Sequence, residues 1–432
     1  MRRNWSSAAA VVLWMSVGSF ASVVMPGIQT EQTKLRASDG AADDNFGTSV
    51  SVAGDTAVFG AEGDDDLGSF SGAAYVFVAS GGAWTEQAKL LASDGAEFAY
   101  FGASVSVAGN TAVVGADGDD ELGRFTGAAY VFVRSGDSWA EQDKLLASDG
   151  AEFDHFGESV SVDGDTVVVG VEQRDDLGIS SGAAYVFVRS GEVWTEQAKL
   201  MPIEGEENDR FGRSVSIDGN TIVVGAEGDD DVADGSGAAY VFVRDGELWT
   251  EQAKLRASDG AATDSLGRSV SIDGDTVVIG ARKDGFQVRP GAAYVFVRSG
   301  EAWTEQAKLL ASDGADQDFF ARSVALAGDT VVVGASGVDD LGNRSGAAYL
   351  FGRDGEVWTE LAKLLASDGE EDDELGESVS VSGAAAFVGA PGFGRFIATR
   401  NRGAVYVFGV FLFADGFESG DTSGWMMMIA GI

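Results

Sequence analysis

The chain of 432 residues contains no cysteine, one histidine and four prolines. Without cysteine it has no disulfide framework, no zinc ribbon and no cysteine nucleophile. Because His155 is the single histidine, a histidine-rich metal site is excluded, and a Ser-His-Asp triad would depend on that one residue. These absences remove most of the metal and catalytic centres that short motifs would reveal.

Positive charge is also scarce. The 29 Lys and Arg stand against 69 Asp and Glu, which gives a formal charge of −40. Nucleic-acid binding needs a basic surface that displaces counterions, so we expect no nucleic-acid partner. The 45% hydrophobic and 10% aromatic residues nevertheless exceed the disordered range, so the chain can form a core. The length alone suggests two or three domains of ~150 residues, a guide that large all-β rings do not follow.

The first residues are typical of a secretory signal peptide. Arg2 and Arg3 precede an apolar stretch from Ala8 to Val24, and small residues at positions 19 and 21 allow cleavage after Ala21. We expect residues 1–21 to be removed, with an uncleaved membrane anchor as the alternative. No later apolar run is long enough to span a bilayer, so no transmembrane helix is expected in the mature chain. We therefore expect a bacterial protein that is secreted or held at the cell surface.

One four-part unit recurs seven times along the chain. Its parts are Phe-Gly-x-Ser followed by Val, an apolar run ending in Gly-Ala, the block GAAYVFV, and the block WTEQAKL. Successive units are 54 or 55 residues apart, a register that chance does not produce. The first part begins at Phe46, Phe101, Phe156, Phe211, Leu266, Phe320 and Leu375.

Each part of the unit has the pattern of a β-strand. SVSV alternates small polar and apolar residues, while TAVVGA and GAAYVFV are short apolar runs typical of strands buried on both faces. No window has helical spacing. Four strands repeated seven times predict an all-β fold, a seven-bladed β-propeller of four-stranded antiparallel blades. An open β-solenoid is the alternative.

The two ends of the repeat predict how the ring closes. The last unit reaches GAVYVFGV, but no EQxKL block follows it; the missing block is EQTKL at residues 31–35. We expect this N-terminal strand to pair with the strand around Ala404 to Val410, which makes residues 29–410 one domain and removes two open edges. Residues 411–432 form a C-terminal tail. Its DGFESGDTSGW block resembles a short terminal motif of exported bacterial proteins, and its apolar end is either a processing signal or a frayed terminus.

The motifs FG-x-S, VVGA and GAAYVF resemble the FG-GAP repeat, which builds the propeller of integrin α chains and occurs in many bacterial surface proteins. The resemblance covers about residues 29 to 410, and it implies a propeller used for adhesion or recognition. Integrin-type blades often carry a calcium loop between their first and second strands. Here that connection is only AGDT or DGDT, too short for the oxygen ligands of calcium, so this site is not carried over.

Two residues recur at fixed places in the outer strand. The tryptophans that open it favour packing, although a tryptophan could also form a carbohydrate platform. A lysine near its end is expected to guard the outer edge against pairing, although a ring of lysines could also bind an anionic partner. These lysines are Lys34, Lys89, Lys144, Lys199, Lys254, Lys308 and Lys363.

The acidic residues concentrate in the two long loop types, the crossovers between blades and the loops between the second and third strands. Both types are expected on one face of the ring, which should be strongly negative. Such carboxylates could bind calcium, a possible cofactor, or a cationic partner; alternatively they keep the ring soluble and monomeric. The candidate metal ligands are Asp64, Asp65, Asp66, Asp119, Asp120, Asp229 and Asp230.

Two second-to-third-strand loops depart from the acidic pattern. Both place arginine and aromatic side chains on the acidic face, and these residue types anchor interfaces. They lie two blades apart, so one ligand could touch both; random drift of variable loops is the alternative. The candidate ligand-binding residues are Arg282, Lys283, Phe286 and Arg289 in the fifth loop, and Phe393, Arg395, Phe396, Arg400 and Arg402 in the seventh.

These features predict a non-catalytic exported propeller, a monomer that binds a protein or glycan ligand at or outside the cell surface. A propeller hydrolase or lyase is one alternative, because paired loop carboxylates can run glycoside hydrolysis. The acidic pairs recur in nearly every blade, however, whereas a catalytic site should be unique. A structural envelope protein is the other alternative.

Overall fold

A computed structural model describes residues 31–282, 290–392 and 402–410. The predicted signal peptide at 1–21 and the tail at 411–432 lie outside these residues, as do positions 283–289 and 393–401 in the fifth and seventh loops. The described residues form strands, turns and bends, and no helix occurs among them.

Within residues 31–282, 290–392 and 402–410, twenty-eight strands form seven sheets of four, each of which is one blade. Blades 1 to 3 contain β2 (Val50–Ala53), β3 (Thr56–Ala61), β4 (Ala73–Ser80), β5 (Ala83–Leu90), β6 (Ser104–Ala108), β7 (Thr111–Ala116), β8 (Ala128–Ser135), β9 (Ser138–Leu145), β10 (Ser159–Asp163), β11 (Thr166–Val171), β12 (Ala183–Ser190) and β13 (Val193–Leu200). Blades 4 to 6 contain β14 (Phe211–Asp218), β15 (Thr221–Ala226), β16 (Ala238–Asp245), β17 (Leu248–Leu255), β18 (Leu266–Asp273), β19 (Thr276–Ala281), β20 (Ala292–Ser299), β21 (Ala302–Leu309), β22 (Phe320–Ala327), β23 (Thr330–Ala335), β24 (Ala347–Asp354) and β25 (Val357–Leu364). Blade 7 contains β26 (Val379–Ser382), β27 (Ala385–Ala390), β28 (Ala404–Gly409) and β1 (Glu31–Leu35).

Each blade is an antiparallel meander whose strands lie side by side in chain order. The first strands of successive blades contact one another all round, from β2 with β6 to β22 with β26, and β26 contacts β2. These first strands therefore line a central channel, and the fourth strands form the rim. The predicted seven-bladed propeller is confirmed, and the solenoid alternative is not.

The ring closes through the N-terminal strand. β1 pairs antiparallel with β28 in the same sheet as β26 and β27, with Lys34 opposite Tyr406 and Leu35 opposite Val405. Blade 7 thus takes its outer strand from the opposite end of the chain. This is the predicted closure, and it joins the two ends of the repeat in one sheet.

The core lies between neighbouring blades. All six residues of strands such as β7 are buried, because the second strand packs against a blade on each side. Phe101, from the FG motif, is fully buried among residues of blades 1 and 2, and its ring meets that of Tyr130 edge-on at 5.4 Å. The motif phenylalanine therefore fills the space between blades.

Two small residues explain why the FG-x-S and VVGA motifs recur together. The Ser104 hydroxyl donates to the carbonyl of Gly157, in the FG motif of the next blade, over 2.7 Å. A Cβ on Gly115, the glycine of VVGA, would collide with that same carbonyl oxygen. Gly157 itself has a φ of 98°, which favours glycine. The motifs therefore fit one blade onto the next.

Candidate functional site on the loop face

Two kinds of loop share one face of the ring, which we call the loop face. Crossovers run from the outer strand of one blade to the first strand of the next; the other loops join second and third strands. In the crossover into blade 2, the amide of Phe98 donates to the carbonyl of Ser69, in a second-to-third-strand loop, over 2.8 Å. The remaining turns lie on the opposite side, the hairpin face. The expected grouping of the two long loop types is therefore present.

Six of the seven crossovers are fixed to their blades by a cluster that we call the clamp. In blade 1, the Tyr75 hydroxyl donates to Oδ1 of Asp39 over 2.8 Å, and Lys89 Nζ lies 3.0 Å from Oδ2 of Asp39. The other clamps of this kind are Asp94–Tyr130–Lys144, Asp149–Tyr185–Lys199, Asp259–Tyr294–Lys308, Asp313–Tyr349–Lys363 and Asp368–Tyr406–Lys34. Blade 4 differs because its crossover carries Glu204 at the aspartate position, and Tyr240 donates to Asp229 instead.

The repeated lysines make contacts that their position on the outer strand did not indicate. Lys89 is turned toward the loop face, with its ammonium 5.2 Å from the centre of the Tyr75 ring and only 17% of its side chain exposed. Burial alone would raise the pKa of Asp39, but the hydrogen bonds from Lys89 and Tyr75 hold it below its ordinary value. The lysines bind the crossovers, because the aspartates of the loops lie within reach of the strand end.

The acidic candidates for calcium surround these ammonium groups. Asp64 Oδ2 lies 2.7 Å from Lys89 Nζ, and Asp66 contacts the same ammonium at 2.7 Å. In blade 2, Asp119 and Lys144 repeat the contact at 2.9 Å. Since an ammonium occupies the position between the carboxylates, these groups do not fit a calcium ion. The described residues contain no group of three or more acidic or histidine side chains arranged for a metal.

Of the remaining metal candidates, three accept a hydrogen bond within their own loop or pair with a lysine, and the fourth is exposed. Asp65 Oδ1 accepts the amide of Phe70 at 2.7 Å, and Asp120 Oδ1 accepts the amide of Phe125 at 2.6 Å. Asp229 pairs with Lys254 in blade 4. The neighbouring candidate, Asp230, is exposed on the loop face. This geometry does not support calcium binding by the acidic loops. Calorimetry with calcium would test that prediction.

Only two of the basic and aromatic candidates belong to the described residues. The Arg282 guanidinium lies 4.6 Å from the centre of the Phe319 ring, so it stacks on an aromatic side chain of the next crossover. Arg402 is exposed just before β28. Lys283, Phe286, Arg289, Phe393, Arg395, Phe396 and Arg400 lie outside the described residues. That one ligand touches both loops stays a prediction.

Mostly charged side chains surround the mouth of the central channel on the loop face, and sequence reasoning singled out only Arg282 among them. They occupy two repeat positions, the third residue of FG-x-S and the first residue after the second strand. The first position holds Thr48, Ala103, Glu158, Arg213, Arg268, Arg322 and Glu377, and the second holds Glu62, Asp117, Glu172, Glu227, Arg282, Ser336 and Pro391. Blades 4 to 6 therefore contribute an arginine arc, whereas blades 1 to 3 contribute acidic groups.

Ion pairs link these side chains around the mouth. Arg213 Nη1 lies 3.2 Å from Glu172 Oε2, and Arg268 Nη1 lies 3.1 Å from Glu227 Oε2. Burial and the neighbouring Arg268 lower the pKa of Arg213 to about 9. On the acidic side, burial and the neighbouring Asp117 raise the pKa of Glu62 to about 7. The mouth therefore has one basic and one acidic half.

Two sets of partly exposed aromatic rings also lie on the loop face. In the first ladder, which consists of Phe98, Phe70 and Tyr100, the rings of Phe98 and Phe70 stack at 6.1 Å with 16° between their planes. The ring of Tyr100 lies 5.9 Å from that of Phe70. All three residues have a positive φ, an uncommon conformation for bulky side chains. An exposed aromatic cluster of this kind is typical of an interaction site.

The second ladder, which consists of Phe153, Phe125 and His155, occupies the equivalent positions one blade further on. The imidazole ring stacks on Phe125 at 5.6 Å, and its Nδ1 lies 3.3 Å from Asp117 Oδ2. Sequence reasoning missed both ladders because it compared whole loops. The signal was present in the alignment of the repeats: LGSFSG and LGRFTG are the two loops with Phe before the Ser-Gly or Thr-Gly step, and EFAYFG and EFDHFG follow them.

The hairpin face carries mainly repeated structural contacts. Trp139 Nε1 donates to Gln87 Oε1 of the preceding blade over 2.9 Å, and Arg189 stacks over Trp194 at 5.1 Å. The recurring tryptophans therefore join outer strands, as their repetition favoured. A cavity of about 570 Å³ opens between blades 2 and 3. Arg189 is one of its lining residues and already binds Asp165 and Thr111, so the lining is part of the scaffold.

A search of curated proteins found no match to the chain. None of the residues at 31–282, 290–392 or 402–410 forms a helix with the length and apolar character needed to cross a membrane.

The model of the FG-GAP repeat matches seven segments, at residues 29–77, 84–132, 139–187, 194–242, 249–296, 303–351 and 358–408. Each segment begins with the outer strand of one blade and continues through three strands of the next. Because each segment begins with the outer strand of the preceding blade, the first segment supplies the outer strand of blade 7. The chain is a member of the FG-GAP repeat family.

Proposed function

We propose that this protein is an exported, non-catalytic binding module that holds a protein or glycan partner with its loop face, at or outside the cell surface. One observation carries the proposal. The polar residues that repeat in the blades hold the ring together, whereas the side chains that differ between blades gather on the loop face.

The repeated residues are engaged in the scaffold. Ser104 binds the next blade, Lys89 and Asp39 fix a crossover, and Trp139 joins two outer strands. A catalytic site built from them would recur around the ring and would have to break these contacts. The repeats therefore supply a rigid support on which differing loops can be displayed.

The differing residues are the ones that interfaces use. The aromatic ladders, Arg124, and the arginine arc at the mouth place aromatic and guanidinium groups on one face. The FG-GAP membership supports a role in recognition, because such propellers are typical of adhesion proteins. The N-terminal sequence supports export, and its cleavage after Ala21 is tested by sequencing the mature protein.

A propeller hydrolase or lyase is the second candidate, and Glu62 is the observation that favours it. Its pKa of about 7, beside Asp117, suits a carboxyl group that donates and accepts a proton near neutral pH. Release of sugars from a glycan by the wild-type chain, lost in Glu62→Gln, would establish this activity. Retained binding without product release favours the binding module.

The test compares two matched double variants on a glycan array and against surface extract from the producing cell. Phe98→Ala with Phe153→Ala removes two exposed apolar side chains from the loop face, which are 44% and 45% exposed. Val193→Ala with Leu248→Ala removes two from the hairpin face, which are 59% and 72% exposed.

We expect saturable binding that weakens at least about tenfold in the loop-face variant, equivalent to about 1.4 kcal/mol, and stays unchanged in the hairpin-face variant. Equal binding by both variants contradicts the use of the loop face. Co-fractionation with the envelope without any saturable ligand would instead indicate a structural envelope protein.

A further inference from the structure

The two aromatic ladders share the same backbone conformation and the same pair of phenylalanines, and one of the differences between them lies directly beside that pair. The amide of Phe98 donates to Ser69 over 2.8 Å in the first ladder, and the amide of Phe153 donates to Arg124 over 2.8 Å in the second. Ser69 and Arg124 occupy the same repeat position, immediately before Phe70 and Phe125. The second ladder therefore shows what the first one would hold if its serine were an arginine.

In the second ladder, that arginine covers the rings. The guanidinium carbon of Arg124 lies 5.3 Å from the centre of the Phe125 ring and 5.5 Å from that of Phe153. Both distances lie within the range of a cation–π contact. The pair of rings thus forms a seat for a planar cation, and the chain fills the seat with its own side chain.

In the first ladder, the same seat has no cation over it among the described residues. Phe70 is 37% exposed and Phe98 is 44% exposed, although their rings stack on each other. The serine at position 69 is too short to cover them. Two stacked phenylalanines at the surface, held in left-handed backbone, are costly for a protein that does not use them.

The surroundings of the first ladder favour a cation. The two segments that form it, EGDDDLGSF at residues 62–70 and DGAEFAY at residues 94–100, contain six aspartates and glutamates and no lysine or arginine. Asp65 and Glu97 are exposed beside the rings. Carboxylates at the edge of an aromatic seat raise the local concentration of cations and strengthen their contact with the rings.

We propose that the first ladder binds an arginine side chain of a partner protein, whose guanidinium takes the place that Arg124 takes in the second ladder. This rests on the proposed function, because it names the group that the loop face recognises. The planar guanidinium stacks on two rings at once, whereas the compact, more strongly hydrated lysine ammonium does so less well. A single contact of this kind gives weak binding, so the partner's other contacts supply the rest of the affinity.

The test titrates the full mature chain with a seven-residue glycine-serine peptide that carries one central arginine. Lysine and citrulline versions of the peptide serve as controls for charge and for shape. Free arginine methyl ester distinguishes a small cation from a side chain presented by a peptide. Binding is followed by NMR or calorimetry, and we expect a Kd on the order of 1 mM for the arginine peptide and weaker binding of both controls.

Two substitutions, at the exposed positions 69 and 124, exchange the residue beside the phenylalanine pair between the two ladders. Ser69→Arg supplies the first ladder with an internal guanidinium, and it should weaken binding of the arginine peptide at least about tenfold. Arg124→Ser uncovers the second ladder, and it should raise the stoichiometry from one site to two. Phe98→Ala removes half of the seat without changing any charge, and it should abolish binding.

Unchanged binding in Ser69→Arg and Phe98→Ala would overturn the proposal, as would equal binding of the arginine and lysine peptides, which would indicate attraction to the acidic surface alone. The melting temperature of each variant shows that the ring is intact. If the peptide fails while the loop-face double variant still loses its captured partner, the arginine seat is wrong and the binding module stands.

Discussion

Single atoms of the repeat decide how one blade meets the next. A side chain at Gly115 would collide with the carbonyl oxygen of Gly157. The Ser104 hydroxyl donates a hydrogen bond to that same oxygen. The two residues belong to different strands of blade 2, and their partner belongs to blade 3. The recurrence of these letters was visible in the sequence, whereas the carbonyl that they share was not.

Glu62 is one of several glutamates whose charged form the fold disfavours. Burial and Asp117 raise its pKa from 4.5 to about 7. Its protonated form is therefore favoured by folding, so its contribution is present below about pH 4.5 and is lost as the pH rises through about 7. This sign is opposite to that of Asp39, whose lowered pKa makes its contribution disappear as the pH falls.

Glu62→Gln should therefore stabilise the chain at pH 8 by about 1–3 kcal/mol and leave its stability at pH 4.5 nearly unchanged, because glutamine keeps the shape and cannot ionise. Urea unfolding at the two pH values measures the difference. The matched change Glu97→Gln, at an exposed position, should leave the pH dependence as it is. A stability gain of the same size at both pH values would show that ionisation of Glu62 is not the cause.

At the scale of the element, the outer strand has two tasks. It closes the edge of its blade, and its lysine holds the crossover that leads into that blade. The strand pattern of WTEQAKL predicted the first task correctly. The contact with the crossover depends on the direction of the Lys89 side chain and on its distance to Asp39. Neither can be read from the spacing of the repeats.

Lys89→Met should destabilise the protein by about 2 kcal/mol at pH 7, because it leaves the carboxylates of Asp39, Asp64 and Asp66 close together without their cation. The loss should shrink as the pH falls through the lowered pKa of Asp39, because the protonated carboxyl group no longer needs the cation. Thermal or urea unfolding across this range measures it.

Lys308→Met is the control, since Lys308 contacts the single carboxylate of Asp259 among the described residues. It should cost less at neutral pH than the change in blade 1. Equal costs in the two blades would show that the number of carboxylates around the ammonium does not determine the strength of the clamp.

The candidate site illustrates a different limit of sequence reasoning. Comparison of the loops singled out Arg282 and Arg402 because whole loops departed from the repeat. The first ladder escaped notice because Phe70 and Phe98 are separate changes in two segments that the fold brings together. A single substitution at the same repeat position, Ser69 against Arg124, became meaningful only once both rings were in place.

At the scale of the molecule, the charge of −40 is distributed less simply than loop composition suggested. The loop face carries acidic loops of both kinds, but many of their carboxylates are paired with the lysines of the clamps, as Asp39 and Asp64 are with Lys89. The mouth adds an arginine arc that includes Arg213 and Arg268. The loop face therefore combines acidic, basic and aromatic regions and is not uniformly acidic.

The ring as a whole could be predicted because its evidence is periodic. Seven copies of four strand patterns define the blades, and the unpaired EQTKL block at residues 31–35 defines the closure. The length suggested two or three domains, whereas the chain forms one ring, because each blade buries its faces only against its neighbours.

The ring is closed by β1, and the melting temperature of a chain that lacks residues 29–37 measures how much this closure stabilises it. Without β1, the edge of β28 is open and Lys34 no longer binds Asp368, so the ring should melt sharply lower. A synthetic peptide of residues 29–37 should restore the melting temperature when added in excess. A shortened chain that melts at the wild-type temperature without the peptide would contradict the account.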